Sequence, residues 1–180
     1  MLGEIQTGID RTGEWFAFQH AGILPDVLTL AKGLGNGFPI GACLARGPAA
    51  ELFQPGHHGT TFGGNPLGCR TALAVLETMQ QQQLPARAER LGKQLLAGFR
   101  TRLEGTAGVV ELRGHGLMLA IALDRPCGDL VRRALERGLL INVTAQSVIR
   151  LLPPLTFTDE QGDELIETVC ALVTEFLQEA

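Results

Sequence analysis

Lys32 sits in a setting that could do chemistry. Its segment reads Leu30-Ala31-Lys32-Gly33-Leu34-Gly35-Asn36-Gly37-Phe38-Pro39-Ile40-Gly41, with an apolar run before the cation and glycines at 33, 35 and 37 after it. Glycine opens backbone conformations closed to other residues and allows close approach to a ligand. The apolar flank predicts a desolvated amine, and desolvation frees a lysine to act as a nucleophile of the Schiff-base kind. The plain alternative is an exposed lysine in a glycine-rich turn. Nucleotide readings fail here: the glycine spacing is not the dinucleotide fingerprint, and no Gly-Lys-Ser/Thr closes the loop as in a P-loop.

Three other positions carry chemical potential. Thr61 precedes Gly63-Gly64-Asn65-Pro66, so a hydroxyl, a flexible backbone and a helix N-terminus come together as they do in phosphate sites. A simple helix cap is the competing reading. Gln6, in Glu4-Ile5-Gln6-Thr7-Gly8, follows a predicted strand end, where ligands collect in open α/β sheets. Arg150 lies inside the apolar run Val148 to Leu155. Its planar fork suits a carboxylate, supplied either by the protein or by a substrate. On an edge strand it would point to solvent instead.

Spacing outlines the elements that position these residues. Short strands are predicted over 26–30 and 41–45. Asn65 is a natural N-cap and Pro66 suits the first turn of a helix whose apolar face is Leu67, Ala72, Leu73, Leu76 and Met79, fading in Gln80–Gln83. Pro85 opens a second helix with Leu91, Leu95, Phe99 and Leu103 four residues apart, bracketed by Gly105 and Gly108. Strands are predicted over 109–113 and 117–123, joined through Gly114 and Gly116, and again over 139–143 and 148–152. A short helix over 129–137 stops at Gly138. Thr158-Asp159-Glu160-Gln161 is a capping box for a last helix with the face Leu165, Val169, Leu172, Val173 and Phe176. The change in character near residue 84 marks a domain boundary, and the second half reads as a small α/β or α+β unit.

Bulk properties narrow the classes. The chain has 180 residues, 45% of them apolar and 19% charged, with a net charge of −4. That is a globular composition without the basic footprint of a nucleic-acid binder. No apolar run is long enough for a bilayer span, and no signal peptide is expected. Cys43, Cys69, Cys127 and Cys170 form no Cys-x-x-Cys pair, so they are expected to be small buried residues in a reducing, cytoplasmic compartment. Adjacent His57 and His58 lack companion ligands in sequence, and no metal is expected.

Taken in order, five strings closely resemble the fold-type I, class III pyridoxal-phosphate aminotransferases, and among them the acetylornithine aminotransferases most. They are Glu4–Gly8 with Arg11-Thr12-Gly13, Pro25–Gly41, His58–Leu67, Arg113–Leu119 and Arg150–Leu155. The resemblance implies an α/β chain forming the C-terminal portion of such an enzyme. Residues 1–84 would end the large cofactor-binding domain and 85–180 would form the small α+β domain. It implies pyridoxal phosphate as cofactor, amino-acid and 2-oxo-acid substrates, and a homodimer. The parent reaction would be amino transfer from N2-acetyl-L-ornithine to 2-oxoglutarate in arginine biosynthesis. Succinylornithine, ornithine or 4-aminobutyrate enzymes, a related enzyme with other chemistry, or a non-catalytic dimerising module are the alternatives.

By the same resemblance, Lys32 would bond to the cofactor and shuttle protons, and Thr61 would bind the cofactor phosphate, in this family usually across the dimer interface. Gln6 would approach the ring, Thr60 would lie near the substrate, and Arg150 would hold the substrate α-carboxylate. The chain departs from the pattern at Gly3, where the family has an aspartate that keeps the pyridine nitrogen protonated, and at Asp10, where a glycine is usual. The family's N-terminal region is also absent. These departures lead to the expectation of a truncated form with little or no transaminase activity.

Overall fold

The computed structural model describes residues 1–179 and divides into two compact units, Met1–Ala86 and Arg87–Ala180. In the first unit, β1 (Leu2–Gly3), β2 (Val27–Leu30) and β3 (Ala42–Ala45) form one sheet in that order. β1 and β2 run parallel, pairing Gly3 with Thr29, and β3 runs antiparallel to β2. Parallel pairing brings the carboxyl ends of β1 and β2 side by side. The segments that leave them, 4–8 and 31–37, therefore emerge at one edge of the sheet. A 3-10 turn follows at Ala17–Ala21, and α1 (Pro66–Gln81) closes the unit.

The start of α1 follows its sequence signals. Asn65 Oδ1 accepts from the Gly68 amide at 2.8 Å, while Asn65 Nδ2 donates to the Phe62 carbonyl at 2.8 Å. Its apolar face is narrower than the spacing predicts. Gly68, Ala72 and Met79 are buried, but Leu67 is 66% and Leu73 49% exposed. Phe62, Leu52 and Phe53 are exposed in the same unit.

The second unit holds the main core. β4 (Val109–His115), β5 (Met118–Leu123), β6 (Asn142–Thr144) and β7 (Val148–Leu151) form an antiparallel sheet in the order β4-β5-β7-β6. Its inner face presents Leu119, Ile121, Leu123, Ile149 and Leu151 to α2 (Leu84–Leu103) and α4 (Asp159–Gln178), with α3 (Leu130–Glu136) alongside. Leu91, Leu95, Phe99 and Leu103 of α2 are buried at 0–1% exposure, as their four-residue spacing predicts. This is the α+β arrangement, with helices on one face of an antiparallel sheet. The capping box also forms: the Gln161 amide donates to Thr158 Oγ1 at 3.2 Å, and the Thr158 amide donates to Gln161 Oε1 at 2.9 Å. Arg90 grips Asp159 in the first turn of α4 with two bonds, at 2.7 and 3.1 Å.

Three expected details shift. β4 runs on to His115, so Gly114 is within the strand and the turn is Gly116-Leu117. Gly116 takes φ +51° there, which a glycine tolerates. β6 begins only at Asn142, because residues 139–141 are spent turning out of α3. Cys43 and Cys69 are exposed and only Cys127 and Cys170 are buried. Cys43 lies on β3, all four residues of which are exposed. Among the described residues no helix is long and apolar enough to cross a membrane, and no cluster of side chains is arranged to hold a metal.

α2 comes close to the β4–β5 turn at Gly92, where an added Cβ would lie 2.0 Å from the Gly116 carbonyl oxygen. Alanine favours a helix over glycine by about 1 kcal/mol, but a backbone collision of this size outweighs it. Gly92→Ala should destabilise the second unit by about 2–3 kcal/mol. Gly128→Ala, with open space around it, should be neutral. Urea denaturation of both variants checks the pair.

Candidate active site

The carboxyl edge of β1 and β2 gathers two of the five residues singled out above. After β1, the Glu4 amide still donates to the Thr29 carbonyl at 2.9 Å, and the chain then turns through Ile5–Gly8. Glu4 itself is 4% exposed. Its carboxylate accepts the Ala17 amide at 2.7 Å, the Phe18 amide at 2.8 Å and the Thr7 hydroxyl at 3.2 Å. A buried carboxylate needs such donors, and here they tie the 4–8 turn to the start of the 3-10 turn at Ala17. Gln6, half-buried, is carried on that pinned turn. Sequence spacing marks Glu4 only as one polar residue in a string, because its partners lie 13 and 14 residues away.

Lys32 leaves β2 in the left-handed region, at φ +44°, and Asn36 follows at φ +45°. Left-handed backbone at a residue with a long side chain is uncommon and held in place by its surroundings. The Leu34 amide donates to the Ala31 carbonyl at 3.0 Å, and the Gly35 and Asn36 amides both donate to the Lys32 carbonyl at 3.1 Å. Gly35 is obligatory, since a Cβ there would meet the Phe38 carbonyl oxygen at 2.2 Å. The expected desolvation of Lys32 is corrected: the side chain is exposed. Leu28 and Leu30 are the buried members of the flanking run, and the turn carries Lys32 out of their face. The amine is thereby presented to the carboxyl edge of the sheet, unburied in this chain.

Thr60 and Thr61 lie in the exposed loop ahead of α1. The Thr60 methyl folds over Gly63, where a Cβ would come within 2.2 Å of it. The cap of α1 is made by Asn65 rather than by Thr61, so the competing reading of Thr61 as a helix cap does not hold. The first turn of α1 packs on the Lys32 loop: a Cβ at Gly68 would stand 3.2 Å from the Phe38 ring. That contact sets the start of α1 against Phe38, at the far end of the Lys32 loop.

Arg150 belongs to the second unit. It occupies β7, an interior strand, in a cross-strand row with Arg113, Ala120 and Asn142. It is on the face opposite buried Ile149 and Leu151. Both the edge-strand reading and internal ion pairing fail, because no described carboxylate bonds to it and its Nε is buried without a partner. An arginine left in this state is a free fork for a carboxylate.

Gly3 carries no side chain at the ring-nitrogen position that the resemblance defines. The space is there, since a Cβ would meet only Thr29 Oγ1, at 3.8 Å. Asp10 is fully buried, takes φ +62°, and neither carboxylate oxygen has a hydrogen-bond partner. Burial, and secondarily the Glu14 carboxylate, push it up to about 7. Arg11 beside it is lowered by burial.

Glu4→Gln keeps the size of the side chain but sets an amide N–H against a backbone N–H. The substitution should cost about 1–3 kcal/mol. Chemical denaturation followed through Trp15, the chain's single tryptophan, gives the measurement.

The family model for class-III aminotransferases matches residues 1–173. Acetylornithine aminotransferase 1 of Bordetella parapertussis is 55% identical over 177 residues, which are 98% of this chain and 45% of that protein. The acetylornithine aminotransferase of Nitrosomonas europaea is 49% identical over 178 residues, 99% of this chain and 45% of that protein. Among solved structures, the ornithine aminotransferase of Toxoplasma gondii superposes with a TM-score of 0.93 at 37% identity, covering 99% of this chain and 44% of its own. The acetylornithine aminotransferase of Elizabethkingia anophelis superposes at 0.88 and 39% identity, covering 96% and 44%. The chain thus spans a little under half the length of the relatives it matches. With a matched family model over nearly its whole length and a Lys32 turn, Gln6 turn and 60–65 loop folded in the order the motifs run, this chain belongs to the class-III aminotransferases, a family that implies pyridoxal phosphate.

Proposed function

We propose that this chain is the C-terminal part of an aminotransferase acting on N2-acetyl-L-ornithine and 2-oxoglutarate, with residues 1–84 ending the large domain and 85–180 forming the small one. The observation that carries the reading is the shared edge. Gln6 and Lys32 leave the carboxyl ends of two parallel neighbours, where ligands bind in open α/β sheets. The donor set offers a group for the cofactor's aldehyde end and, across the proposed dimer interface, a group for the phosphate of the cofactor held by the partner copy. Lys32 offers an exposed amine, and Thr61 offers a hydroxyl just before the N-terminus of α1, where the helix dipole favours an anion. It does not fit at the ring nitrogen, where Gly3 supplies no carboxylate. When bound, the cofactor supplies an electron sink for the substrate carbanion.

The roles of this chain's residues follow from their chemistry. Lys32 anchors the cofactor and, once released, takes and returns the proton at the substrate carbon as a general base and acid. Gln6 presents its amide to the ring, on a turn held by Glu4. Thr60 lies beside the substrate. Arg150 binds the substrate α-carboxylate through its unpartnered fork. The choice of acetylornithine over ornithine rests on the names of the relatives with the higher identities. Homodimerisation would cover apolar side chains such as Phe53, Phe62 and Leu67, which this chain leaves exposed.

The chain by itself is proposed to transaminate little, because Gly3 leaves the ring nitrogen without its counter-ion and Lys32 and Thr61 stand open to water. A non-catalytic assembly module is the second reading, favoured by the same Gly3. Mixing the 180-residue chain with pyridoxal phosphate and recording the absorbance of lysine-bound cofactor, then assaying amino transfer, tests the proposal. A band that Lys32→Ala abolishes, with weak turnover, is the expected result. Gly3→Asp, for which there is room, should raise turnover at least about tenfold, a barrier change of about 1.4 kcal/mol. Robust turnover in the unmodified chain would overturn the low-activity reading. A stable oligomer with no band would favour the assembly module.

A further inference from the structure

Asp10 is a buried acid that the proposed chemistry does not use. Its side chain has no exposed surface, and neither carboxylate oxygen has a hydrogen-bond partner. An ionised carboxylate cannot stay in such a place without a large desolvation cost. It either takes up a proton or moves to water. Its backbone restricts the second course. Ile9 and Asp10 are both left-handed, at φ +56° and +62°. Aspartate tolerates that region, whereas a β-branched isoleucine does so only under constraint.

The constraint is a knot of three backbone bonds. The Ile9 and Asp10 amides both donate to the Trp15 carbonyl, at 2.8 and 3.4 Å, and the Gly13 amide donates to the Asp10 carbonyl at 3.1 Å. The knot presses Ile9 onto the neighbouring loop. A Cβ at Gly33 would lie 3.3 Å from the Ile9 Cβ, one residue from Lys32. The turn that buries Asp10 is therefore the turn that backs the Lys32 loop.

The charges around Asp10 do not neutralise it. Glu14 acts on it with like charge. Arg11 makes no hydrogen bond to either Asp10 oxygen. His20 is engaged by Thr12, with Nε2 at 3.1 Å from the Thr12 carbonyl and 3.2 Å from its hydroxyl. Glu4 is occupied by Ala17, Phe18 and Thr7, and Lys32 is exposed.

We propose that Asp10 is a proton-operated latch: as a neutral acid it lets the 8–15 turn close on Ile9 and Gly33, and on ionising it loosens that turn and with it the backing of Lys32. The device stands whether or not the chain transaminates. Burial first, and Glu14 second, raise Asp10 to about 7 from an ordinary 3.8. The folded chain therefore holds this proton more tightly than the unfolded one. Its contribution to stability is complete below about pH 4, falls as pH rises towards 7, and is constant above.

Trp15, whose carbonyl closes the knot, is a built-in reporter. Its fluorescence in the 180-residue chain should shift with a midpoint near neutrality. Hydrogen exchange at the Ile9 and Asp10 amides should accelerate above that midpoint relative to an Asp10→Asn control. Asp10→Asn and Asp10→Gly should both abolish the midpoint and raise the melting temperature at pH values above it, while Glu14→Gln should move it to lower pH. Asp10→Gly serves as the folded control should the asparagine variant not fold. A midpoint that survives Asp10→Asn would assign the titration to His20 or another group and overturn the proposal. A flat profile in the unmodified chain would also overturn it.

Discussion

A single buried carboxylate organises the carboxyl edge of the sheet in the first unit. Glu4 emerges from the end of β1 and gathers the amides of Ala17 and Phe18 and the hydroxyl of Thr7. Without these donors the charge could not be buried at 4% exposure, and without the charge the 4–8 turn would lose its tie to the 3-10 turn at Ala17. The turn that carries Gln6 and the turn that holds Asp10 lie in the segment between Glu4 and the start of that 3-10 turn. Parallel pairing of β1 with β2 then sets the segment beside the Lys32 loop, and Ile9 against Gly33 joins the two.

The two units distribute stability and chemistry differently. The contiguous apolar core lies entirely within residues 88–173, where α2 and α4 cover one face of an antiparallel sheet. The first unit buries far fewer side chains and leaves Phe62 79% exposed. It nevertheless holds most of the candidate site, on turns stabilised by hydrogen bonds and left-handed backbone rather than by a packed core. Sites of this kind concentrate on loops positioned by a rigid scaffold, and left-handed residues cluster there. Lys32 and Asn36 are two such residues in one loop.

The two positions at which the chain departs from the motif pattern it resembles have opposite physical characters. Gly3 removes a charge from a position with room for one. Asp10 adds an acid where none of the described residues partners its carboxyl and where the backbone suits glycine. The two are not exchangeable, since Gly3 ends a strand and Asp10 is sealed inside a turn. Under the proposed function the first bears on how strongly a bound ring could draw electrons, and under the proposed latch the second bears on how firmly the Lys32 loop is backed.

Local signals were sufficient wherever the deciding interactions are close in sequence. The Asn65 and Thr158 caps, the four-residue stripe of α2, the strands around Gly116 and the ordered motifs of the family are all legible in the chain itself, because each depends on neighbours within about four residues. Long-range contacts decided the rest. The burial of Glu4 depends on amides 13 and 14 residues away, and the exposure of Lys32 on a left-handed turn that lifts it from an apolar run. The isolation of Asp10 depends on a knot closed by Trp15, and the freedom of Arg150 on β7 lying between β5 and β6 with no acid in its row. Spacing reveals which face of an element a residue occupies. What that face meets is set only when distant segments pack.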